Sequence, residues 1–331
     1  MRGPIGLIPK VGPDVGLGHL MRCVALAQAL QDGGASGIAI LLPPRAREGA
    51  MVKKEGLETE VLRGGVSLPE ESAYVVDLEL PQATWPLHFG SRPRALVAID
   101  DGGLRIADAD LIVNPNLGAS PDWYHGSTAL AIGPRFALLR RDFQAARRRS
   151  KRIRERARRV VVSLGGSDPL NGTRGIVSAL SDLDVRFEVV IGPGFRQSIR
   201  RPKGARADFR FHRSPSNTAS LFLTADVAIT GGGSTLYEVA ACGTPTAVLS
   251  LNNAQRTHAL RWHAVGAAEY AGPAAPLEPD ALRACVLGLL RDPARRRALS
   301  EKSRRLVDGQ GARRVATMLF RTMSHSHGNI R

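Results

Sequence analysis

Short apolar segments alternate with amphipathic or polar segments along the first half of the chain. Each apolar segment is almost continuously hydrophobic, which is typical of parallel strands covered by helices on both faces. The first half is therefore predicted to form a parallel α/β domain. Six segments have strand length: 5–8, 37–42, 73–78, 94–100, 109–115 and 129–133.

The same alternation restarts after residue 158 and predicts a second parallel sheet. Its strand-like segments are 159–166, 185–192, 226–233 and 244–251. A chain of 331 residues with 43% hydrophobic content is long enough for two cores. The predicted organisation is an N-terminal Rossmann-like lobe (1–139), a basic linker (140–158), a C-terminal nucleotide-binding lobe that is helical from about 279 (159–323), and a tail (324–331).

Residues 140–159 hold eleven Arg or Lys residues against Asp142 and Glu155, and supply more than half of the net charge of +16. The stretch lacks glycine and proline, so an exposed linker helix is predicted. Its charge favours an anionic partner, and peripheral contact with an anionic membrane is the minority alternative. Nucleic-acid binding is not predicted, because only Phe143 offers an aromatic surface for stacking.

The three cysteines favour a reducing compartment. Cys23, Cys242 and Cys285 form no Cys-x-x-Cys pair and no His/Cys cluster at metal-ligand spacing, so neither a metal nor another cofactor is predicted. The first residues do not resemble a signal peptide, and no run approaches about 18 apolar residues. We therefore expect a cytoplasmic protein. Nothing in the sequence specifies its oligomeric state.

The strongest candidate for an anion site is the glycine-rich turn in residues 226–249. Gly231–Gly233 allow the backbone to approach a ligand closely, and Ser234 or Thr235 can cap the following helix. A phosphate suits such a helix N-terminus. Glu238, one turn further, is placed to accept hydrogen bonds from a ribose diol. The alternative is a plain tight turn with a solvated glutamate.

A second turn follows the strand that begins at residue 159. Gly165 and Gly166 precede a Ser167-Asp168 cap, with Pro169 at the first helical position. The turn is neither a Walker A loop nor a GxGxxG fingerprint, which disfavours a kinase or a nicotinamide enzyme. We predict that the Gly166 and Ser167 amides contact a phosphate. An ordinary capped turn is the alternative.

The third turn, Gly16 to Gly18, leads into a helix that carries His19 near its start. His19 lies off the predicted apolar stripe of that helix. There the helix dipole disfavours the imidazolium by roughly 0.3–1 kcal/mol, which keeps the ring neutral and able to act as a general base. A capping or packing histidine is the alternative. The apolar stripe is Leu20, Val24, Ala27 and Leu30.

Glycine turns that face each other from two lobes would enclose a cleft, with His19 on one wall and a nucleotide on the other. Such a cleft suits nucleotide-sugar chemistry, because a diphosphate is a good leaving group when helix N-termini hold it. One base acting on water or on an acceptor hydroxyl is then enough, and it typically contributes about 10²- to 10⁴-fold. Attack from the face opposite the nucleotide predicts inversion at the anomeric carbon.

Six segments together resemble a known family along most of the chain. The family is the UDP-sugar hydrolase of the pseudaminic-acid pathway with the related spore-coat polysaccharide proteins. The resemblance implies a GT-B fold like that of the lipid-II-forming N-acetylglucosaminyltransferase. The segments are VGLGHLMRC (15–23), AIDDGG (98–103), ADLIVNPNLG (109–118), GPRFALLRRDF (133–143), SLGGSDPLN (163–171) and ITGGGSTLYEVAACGTP (229–245).

The resemblance implies metal-free hydrolysis of a UDP-linked 2,4-diacetamido-2,4,6-trideoxyhexose to UDP and free sugar, for nonulosonic acid or surface polysaccharide biosynthesis. It implies that His19 activates water and that backbone near Phe211 and His212 meets the uracil. The implied nucleotide-binding residues are Gly165, Gly166, Ser167, Phe211, His212, Gly232, Gly233, Ser234, Thr235 and Glu238. The implied substrate-binding residues are Gly18, Arg22, Asn253 and Gln255.

The sequence departs from the family at three places. Asp77-Leu78-Glu79 stands where the family has Asp-His-Tyr, Ala254 precedes Gln255 where the family has an Asn-Gln pair, and an early Arg-x-Asp is replaced around Pro9-Lys10. These changes bear on the sugar and the hydrolytic outcome more than on nucleotide binding. Two alternatives remain open: an inverting GT-B glycosyltransferase with a UDP-sugar donor and a lipid-linked or polysaccharide acceptor, and a non-catalytic nucleotide-sugar-binding protein.

Overall fold

The chain forms two compact units in a computed structural model that describes residues 4–12, 15–62, 67–69, 72–78, 88–89, 92–103, 109–124 and 128–325. The first unit comprises Met1–Val15, His19–Arg141 and Gly309–Arg331, and the second comprises Gly16–Gly18 and Asp142–Asp308. This division differs from the predicted boundaries at the C-terminus. The last helix belongs with the first unit, whereas it was expected in the C-terminal lobe.

The first unit contains a seven-stranded parallel sheet in the order β3-β2-β1-β5-β7-β8-β9. A separate two-stranded pair is formed by β4 (Ser67–Leu68) and β6 (His88–Phe89). The strands of the main sheet are β1 (Ile5–Pro9), β2 (Ile38–Leu42), β3 (Glu58–Val61), β5 (Ala73–Asp77), β7 (Ala95–Ile99), β8 (Leu111–Asn114) and β9 (Ala129–Ile132).

Among the described residues, the helices of the first unit are α1 (Gly18–Asp32), α2 (Gly49–Lys54) and α10 (Gly311–His325). The predicted stripe of α1 is confirmed, since all four of its residues are fully buried. Helix α10 reaches this unit because Gly311 has no side chain, and a Cβ there would lie 2.2 Å from the carbonyl oxygen of Ala137. At its other end, Arg94 donates to the carbonyl of Met323.

The second unit contains a six-stranded parallel sheet in the order β12-β11-β10-β13-β14-β15. Valine, isoleucine and phenylalanine side chains of these strands form its core with α4 and α8. The strands are β10 (Arg159–Ser163), β11 (Arg186–Ile191), β12 (Asp208–Arg213), β13 (Val227–Gly231), β14 (Thr246–Ser250) and β15 (Glu269–Pro273). The helices are α3 (Arg141–Arg148), α4 (Gly172–Ala179), α5 (Thr218–Thr224), α6 (Ser234–Cys242), α7 (Asn253–Ala264), α8 (Pro279–Arg291) and α9 (Pro293–Leu306).

In both parallel sheets, the order in which successive strands are added reverses beside the first strand. In the second sheet, β11 and β12 extend to one side of β10, and β13 to β15 extend to the other. In the first sheet, the reversal lies between β1 and β5. Open α/β sheets bind ligands beyond the carboxyl ends of their strands at this reversal point. The loops that follow these strands are therefore the places to look for chemistry in each unit.

The basic stretch differs from the exposed helix predicted over residues 140–158. Only Arg141–Arg148 is helical, and Phe143 within it is fully buried. Further along, Lys151 donates to the carbonyls of Leu223 and Ala225 at the end of α5. Burial lowers the pKa of Lys151 to about 8. Beyond Arg148 the stretch is not helical, and Lys151 supplies donors to backbone carbonyls that the C-terminus of α5 leaves unpaired.

The described residues contain no helix that is both long enough and apolar enough to cross a bilayer.

Candidate functional site

In the first unit, His19 is paired with a buried carboxylate at the sheet's reversal point. Asp77 is the last residue of β5, in register with Pro9 of β1, and its side chain is completely buried. His19 is the second residue of α1, and its Nδ1 lies 2.8 Å from Oδ1 of Asp77. The side chain of His19 keeps 15% of its surface exposed, so the pair is reachable from solvent.

Arg22 joins this pair from one turn further along α1. Its Nη2 and Nε donate to the two oxygens of Asp77 at 2.7 and 3.0 Å. Its Nη1 lies 2.8 Å from both oxygens of Asp101. Burial lowers the pKa of Arg22, but the two carboxylates outweigh it and hold the pKa well above its usual value. Arg22 is therefore a permanent cation that holds both aspartates in place.

Asp101 comes from the loop that follows β7. It accepts a hydrogen bond from Asn116 Nδ2 at 3.1 Å in addition to those from Arg22. Burial raises the pKa of Asp101, but the charge and hydrogen bond of Arg22 outweigh it, and the net pKa is below its usual value. Asp101 is thus a stable carboxylate beside the guanidinium.

A neighbouring hydrogen-bond network fixes the loop that carries Asp101. The hydroxyl of Tyr124 donates to Asp100 at 2.6 Å and accepts from Asn114 at 2.9 Å. Burial and the hydrogen bond to Asp100 raise the pKa of Tyr124 well above its usual value. Asp100 also accepts from the amide of Gly102, which closes the turn around Asp101.

Two groups approach Nδ1 of His19: Oδ1 of Asp77 at 2.8 Å and Nη2 of Arg22 at 3.0 Å. The carboxylate can only accept and the guanidinium can only donate, so Asp77 favours a proton on Nδ1 whereas Arg22 favours a proton on Nε2. Because Nη2 of Arg22 already donates to Asp77 at 2.7 Å, we expect the shorter contact with Asp77 to decide the tautomer and to leave the ring's lone pair on Nε2. A carboxylate that orients an imidazole in this way prepares it to act as a general base. Arg22, Asp77 and Asp101 together carry one net negative charge. Proton uptake by His19 neutralises the cluster, which stabilises the imidazolium that forms.

In the second unit, two glycine-rich loops lie side by side at the reversal point of the sheet. Gly165 to Ser167 follow β10, and Gly231 to Thr235 span the end of β13 and the start of α6. Gly165 has a φ of +109°, which L side chains rarely adopt, and a Cβ on it would lie 3.9 Å from Thr235 Oγ1. The structure therefore brings the two predicted phosphate-binding turns together.

The predicted cap of α6 is wrong. Ser234 and Thr235 are the first two residues of the helix, and the N-cap is Gly233, which has no side chain to bond the first turn. Gly232 packs so closely on α7 that a Cβ would lie 2.8 Å from the carbonyl oxygen of Gln255. An N-terminus without a side-chain cap presents amide donors and the positive end of the helix dipole to an anion.

The helix after the other turn begins later than predicted. Asp168 accepts from the amides of Gly172 and Thr173 at 2.9 and 2.8 Å, and α4 starts at Gly172, so Pro169 precedes the helix instead of opening it. Because Asp168 closes this N-terminus, any phosphate contact here falls on Gly166 and Ser167. A Cβ on Gly192 would lie 2.3 Å from the Gly166 carbonyl oxygen, so this backbone is tightly supported.

The remaining predicted nucleotide-binding residues lie on β12 and α6. His212 Nε2 lies 2.7 Å from Glu188 Oε2, and Phe211 stacks on Phe209 with ring centroids 6.2 Å apart. The end of β12 shares the carboxyl edge of the sheet with the glycine turns. Glu238 is half-buried, one turn into α6.

The predicted substrate-binding residues have different settings. Arg22 belongs to the histidine cluster described above, and Gly18 is the first residue of α1 but is grouped with the second unit. Asn253 is exposed at the start of α7, and Gln255 Oε1 accepts from the amide of Leu251 at 3.3 Å. Asn252 is occupied as the cap of α7, where it accepts from the Gln255 amide at 2.8 Å.

The departures from the family pattern have partial structural counterparts. Leu78 is buried in the core of the first unit, 8% exposed, where the family pattern has a histidine. Glu79 lies outside the described residues. Ala254 is exposed within the first turn of α7. Across the part of the chain that the structure describes, no group of three or more His, Cys, Asp or Glu side chains is arranged to hold a metal ion.

Comparison with known proteins finds similar sequences and similar folds. No family model matches the chain. The spore coat polysaccharide biosynthesis protein SpsG of Bacillus subtilis (strain 168) is 24% identical over 332 residues, which cover 95% of this chain and 97% of SpsG. The solved glycotransferase of kitacinnamycin has a TM-score of 0.66 at 18% identity, over 97% of this chain and 99% of that one.

A further solved structure is the spinosyn rhamnosyltransferase SpnG in complex with thymidine diphosphate. Its TM-score is 0.55 at 19% identity, over 97% of this chain and 100% of that one. The predicted fold class is confirmed by these matches and by the two parallel sheets. The chain has the GT-B glycosyltransferase fold, built from two parallel-sheet α/β units.

Proposed function

We propose that this protein is an inverting glycosyltransferase that uses a UDP-sugar donor and a polysaccharide or lipid-linked acceptor. The observation that carries the proposal is the pair of adjacent glycine turns, Gly165 to Ser167 and Gly231 to Thr235, at the reversal point of the second sheet. Similar chains are named as transferases, and one of them was solved with a nucleoside diphosphate. The name of SpsG supports a polysaccharide pathway.

The donor's diphosphate is assigned to the second unit. The amides of Gly166, Ser167 and the first turn of α6 are the proposed donors to its oxygens, and Glu238 is the proposed partner of the ribose diol. The amide donors form hydrogen bonds with the negatively charged oxygens of the leaving diphosphate, so they stabilise the transition state in which that negative charge develops. Backbone near Phe211 and His212 is the proposed neighbour of the uracil.

The base is assigned to the first unit. In the proposed reaction, Nε2 of His19 takes the proton of the acceptor hydroxyl while that oxygen bonds to the anomeric carbon. The bond between the anomeric carbon and the diphosphate oxygen breaks, and UDP leaves. The cluster of Arg22, Asp77 and Asp101 supports the step, because its single net negative charge is neutralised when His19 is protonated.

Hydrolysis is the second candidate function. The observation that favours it is the resemblance carried by the six sequence segments, together with a base that can serve water as well as an alcohol. The comparisons agree better with transfer than with this reading of the resemblance. The pseudaminic-type sugar is accordingly a proposal attached to hydrolysis alone.

The two functions separate in one experiment. Purified protein is incubated with a panel of UDP-sugars and dTDP-sugars, with and without polysaccharide and lipid-linked acceptors, and the released nucleoside diphosphate is measured. Release that depends on an acceptor supports transfer, and equal release without one supports hydrolysis. Binding of UDP without turnover of any donor would instead support the non-catalytic alternative.

Contact with an anionic membrane is also proposed, through arginines of the basic stretch. Within the described residues, no carboxylate pairs with Arg148, Arg149, Arg152 or Arg156, and all four are exposed. Each basic residue near an anionic surface contributes about 1 kcal/mol. Their replacement by glutamine should weaken sedimentation with phosphatidylglycerol vesicles, whereas a control with four other exposed cations replaced should not. The control residues are Arg45, Arg47, Lys53 and Lys54.

A further inference from the structure

A buried histidine on α7 holds the backbone of the glycine turn before α6. His258 is 8% exposed, and its Nδ1 lies 2.8 Å from the carbonyl oxygen of Gly232. Its Nε2 lies 2.9 Å from the indole nitrogen of Trp262 and 2.9 Å from the hydroxyl of Tyr237. Tyr237 belongs to α6. The histidine on α7 therefore contacts both the glycine turn, at Gly232, and the helix that follows the turn, at Tyr237.

These contacts determine the tautomer of His258. The indole of Trp262 can only donate, so Nε2 of His258 must be the acceptor. The ring proton therefore lies on Nδ1 and is donated to Gly232. The Trp262 ring is fully buried and stands edge-on to the histidine, which prevents the imidazole from turning over.

The bond to Gly232 also aims the next amide. In a trans peptide, the carbonyl of one residue and the N–H of the next point in opposite directions. A carbonyl of Gly232 directed at His258 therefore directs the N–H of Gly233 away from α7. The N–H of Gly232, in the preceding peptide, is held by the carbonyl of Leu249 at 3.0 Å, so hydrogen bonds hold the peptides on both sides of the Gly232 Cα.

We propose that His258 is a positioning residue that presets the Gly233 amide for a ligand phosphate. The inference rests on the proposed function, since it names which backbone donor serves the diphosphate and what orients it. His258 itself does not touch the ligand. The effect is preorganisation, because an amide that is already aimed needs no rearrangement when the diphosphate binds.

Two substitutions of His258 distinguish the contribution of Nδ1 from that of Nε2. In His258→Asn, the side-chain amide lies near the position of Nδ1 and can still donate to Gly232. In His258→Gln, the amide reaches toward the position of Nε2 and leaves the Gly232 carbonyl without its donor. Both variants lose the aromatic ring. His258→Asn keeps the bond to Gly232 and loses the acceptor for Trp262, whereas His258→Gln does the reverse, so the comparison shows which of the two bonds matters for phosphate binding.

The measurement is the ratio of UDP affinity to uridine affinity, by calorimetry. Uridine lacks phosphates, so a general loss of structure changes both affinities, whereas a misdirected Gly233 amide changes UDP alone. We expect His258→Gln to lower the ratio about tenfold, the usual size of one lost hydrogen bond to a charged group, and His258→Asn to keep it within about threefold. Thermal unfolding of both variants checks that they are folded.

The failures of the two proposals are distinguishable. A wild-type protein that binds UDP no more tightly than uridine overturns the proposed donor site. A wild-type protein that prefers UDP, with the same preference in His258→Gln, overturns the role of His258. Nitrogen-15 spectra of the histidine rings give an independent check: a proton on Nδ1 of His258 supports the inference, and a proton on Nε2 contradicts it.

Discussion

Nδ1 of His19 lies 2.8 Å from Oδ1 of Asp77, although the two residues are 58 positions apart in the chain. The end of β5 and the start of α1 meet at the reversal point of the first sheet, and this topology brings the pair together. Arg22 holds Asp77 with two hydrogen bonds, and its Nη2 also lies 3.0 Å from Nδ1 of His19. In the proposed reaction, these contacts orient the ring for proton transfer before any substrate binds.

Replacement of Asp77 by asparagine should lower kcat by about 10²- to 10⁴-fold, the usual contribution of a positioned base. The amide keeps the size of the side chain but removes the charge that stabilises the imidazolium. UDP affinity, measured by calorimetry, should stay within a few-fold of wild type. Asp122→Asn is the matched control because this carboxylate is exposed in the same unit. A D77N variant with wild-type kcat would show that Asp77 has no part in the reaction.

Replacement of Arg22 by methionine should lower the free energy of unfolding by about 3–5 kcal/mol, because it leaves a buried carboxylate without its cation. The control is Arg92→Met: Arg92 is 68% exposed and pairs with Asp110 at the surface, so its loss should cost less than about 1 kcal/mol. Urea unfolding at neutral pH measures both. Similar losses in the two variants would contradict a buried cluster.

The stabilising effect of Asp101 should depend on pH. Its pKa in the folded protein is lower than in the unfolded chain, so its contribution is fully present above the unfolded pKa, about 3.9, and is lost as the pH falls through the folded pKa. Wild type should therefore exceed Asp101→Asn in unfolding free energy at pH 6, with a difference that shrinks below about pH 4. A difference that stays constant over this range would contradict the assignment.

Sequence patterns predicted the central strands well and the edges poorly. All ten predicted strands are present, because each is an almost continuous apolar run. Five of the described strands are not predicted: β3, β12 and β15, which each lie at an edge of a main sheet, and β4 and β6, which form the separate two-stranded pair. Edge strands have one unpaired side and tolerate polar residues, as in Asp208–Arg213, where only Phe209 is buried. A search for apolar runs cannot recognise them.

The candidate site was predictable only where it is local. His19 and the glycine turns have sequence signals that depend on a few neighbouring residues. The segment AIDDGG contains Asp101 but does not indicate a role for it, and Asp77 stands out in the sequence only because it precedes a departure from the family pattern. Their pairing with Arg22 spans 79 and 55 positions, and it follows from the order of the strands. A carboxylate directly after an apolar strand was the one available signal.

Replacement of Glu238 by alanine should weaken UDP binding by about 10- to 100-fold, the size expected for hydrogen bonds to a charged group. The same substitution should weaken binding of the corresponding deoxyribose nucleotide by a smaller factor, because that nucleotide lacks one of the two hydroxyls of the diol. Glu301→Ala on α9 is the control, since that glutamate is exposed on a different helix. Equal UDP affinity in E238A and wild type would remove Glu238 from the nucleotide site.

The most direct test of the account is the turnover of His19→Ala at saturating donor and acceptor, measured as released UDP. The account predicts a loss of turnover of about 10²-fold or more, with UDP affinity within a few-fold of wild type, because the base and the diphosphate site belong to different units. Turnover at the wild-type rate in this variant would contradict the central claim that His19 is the base.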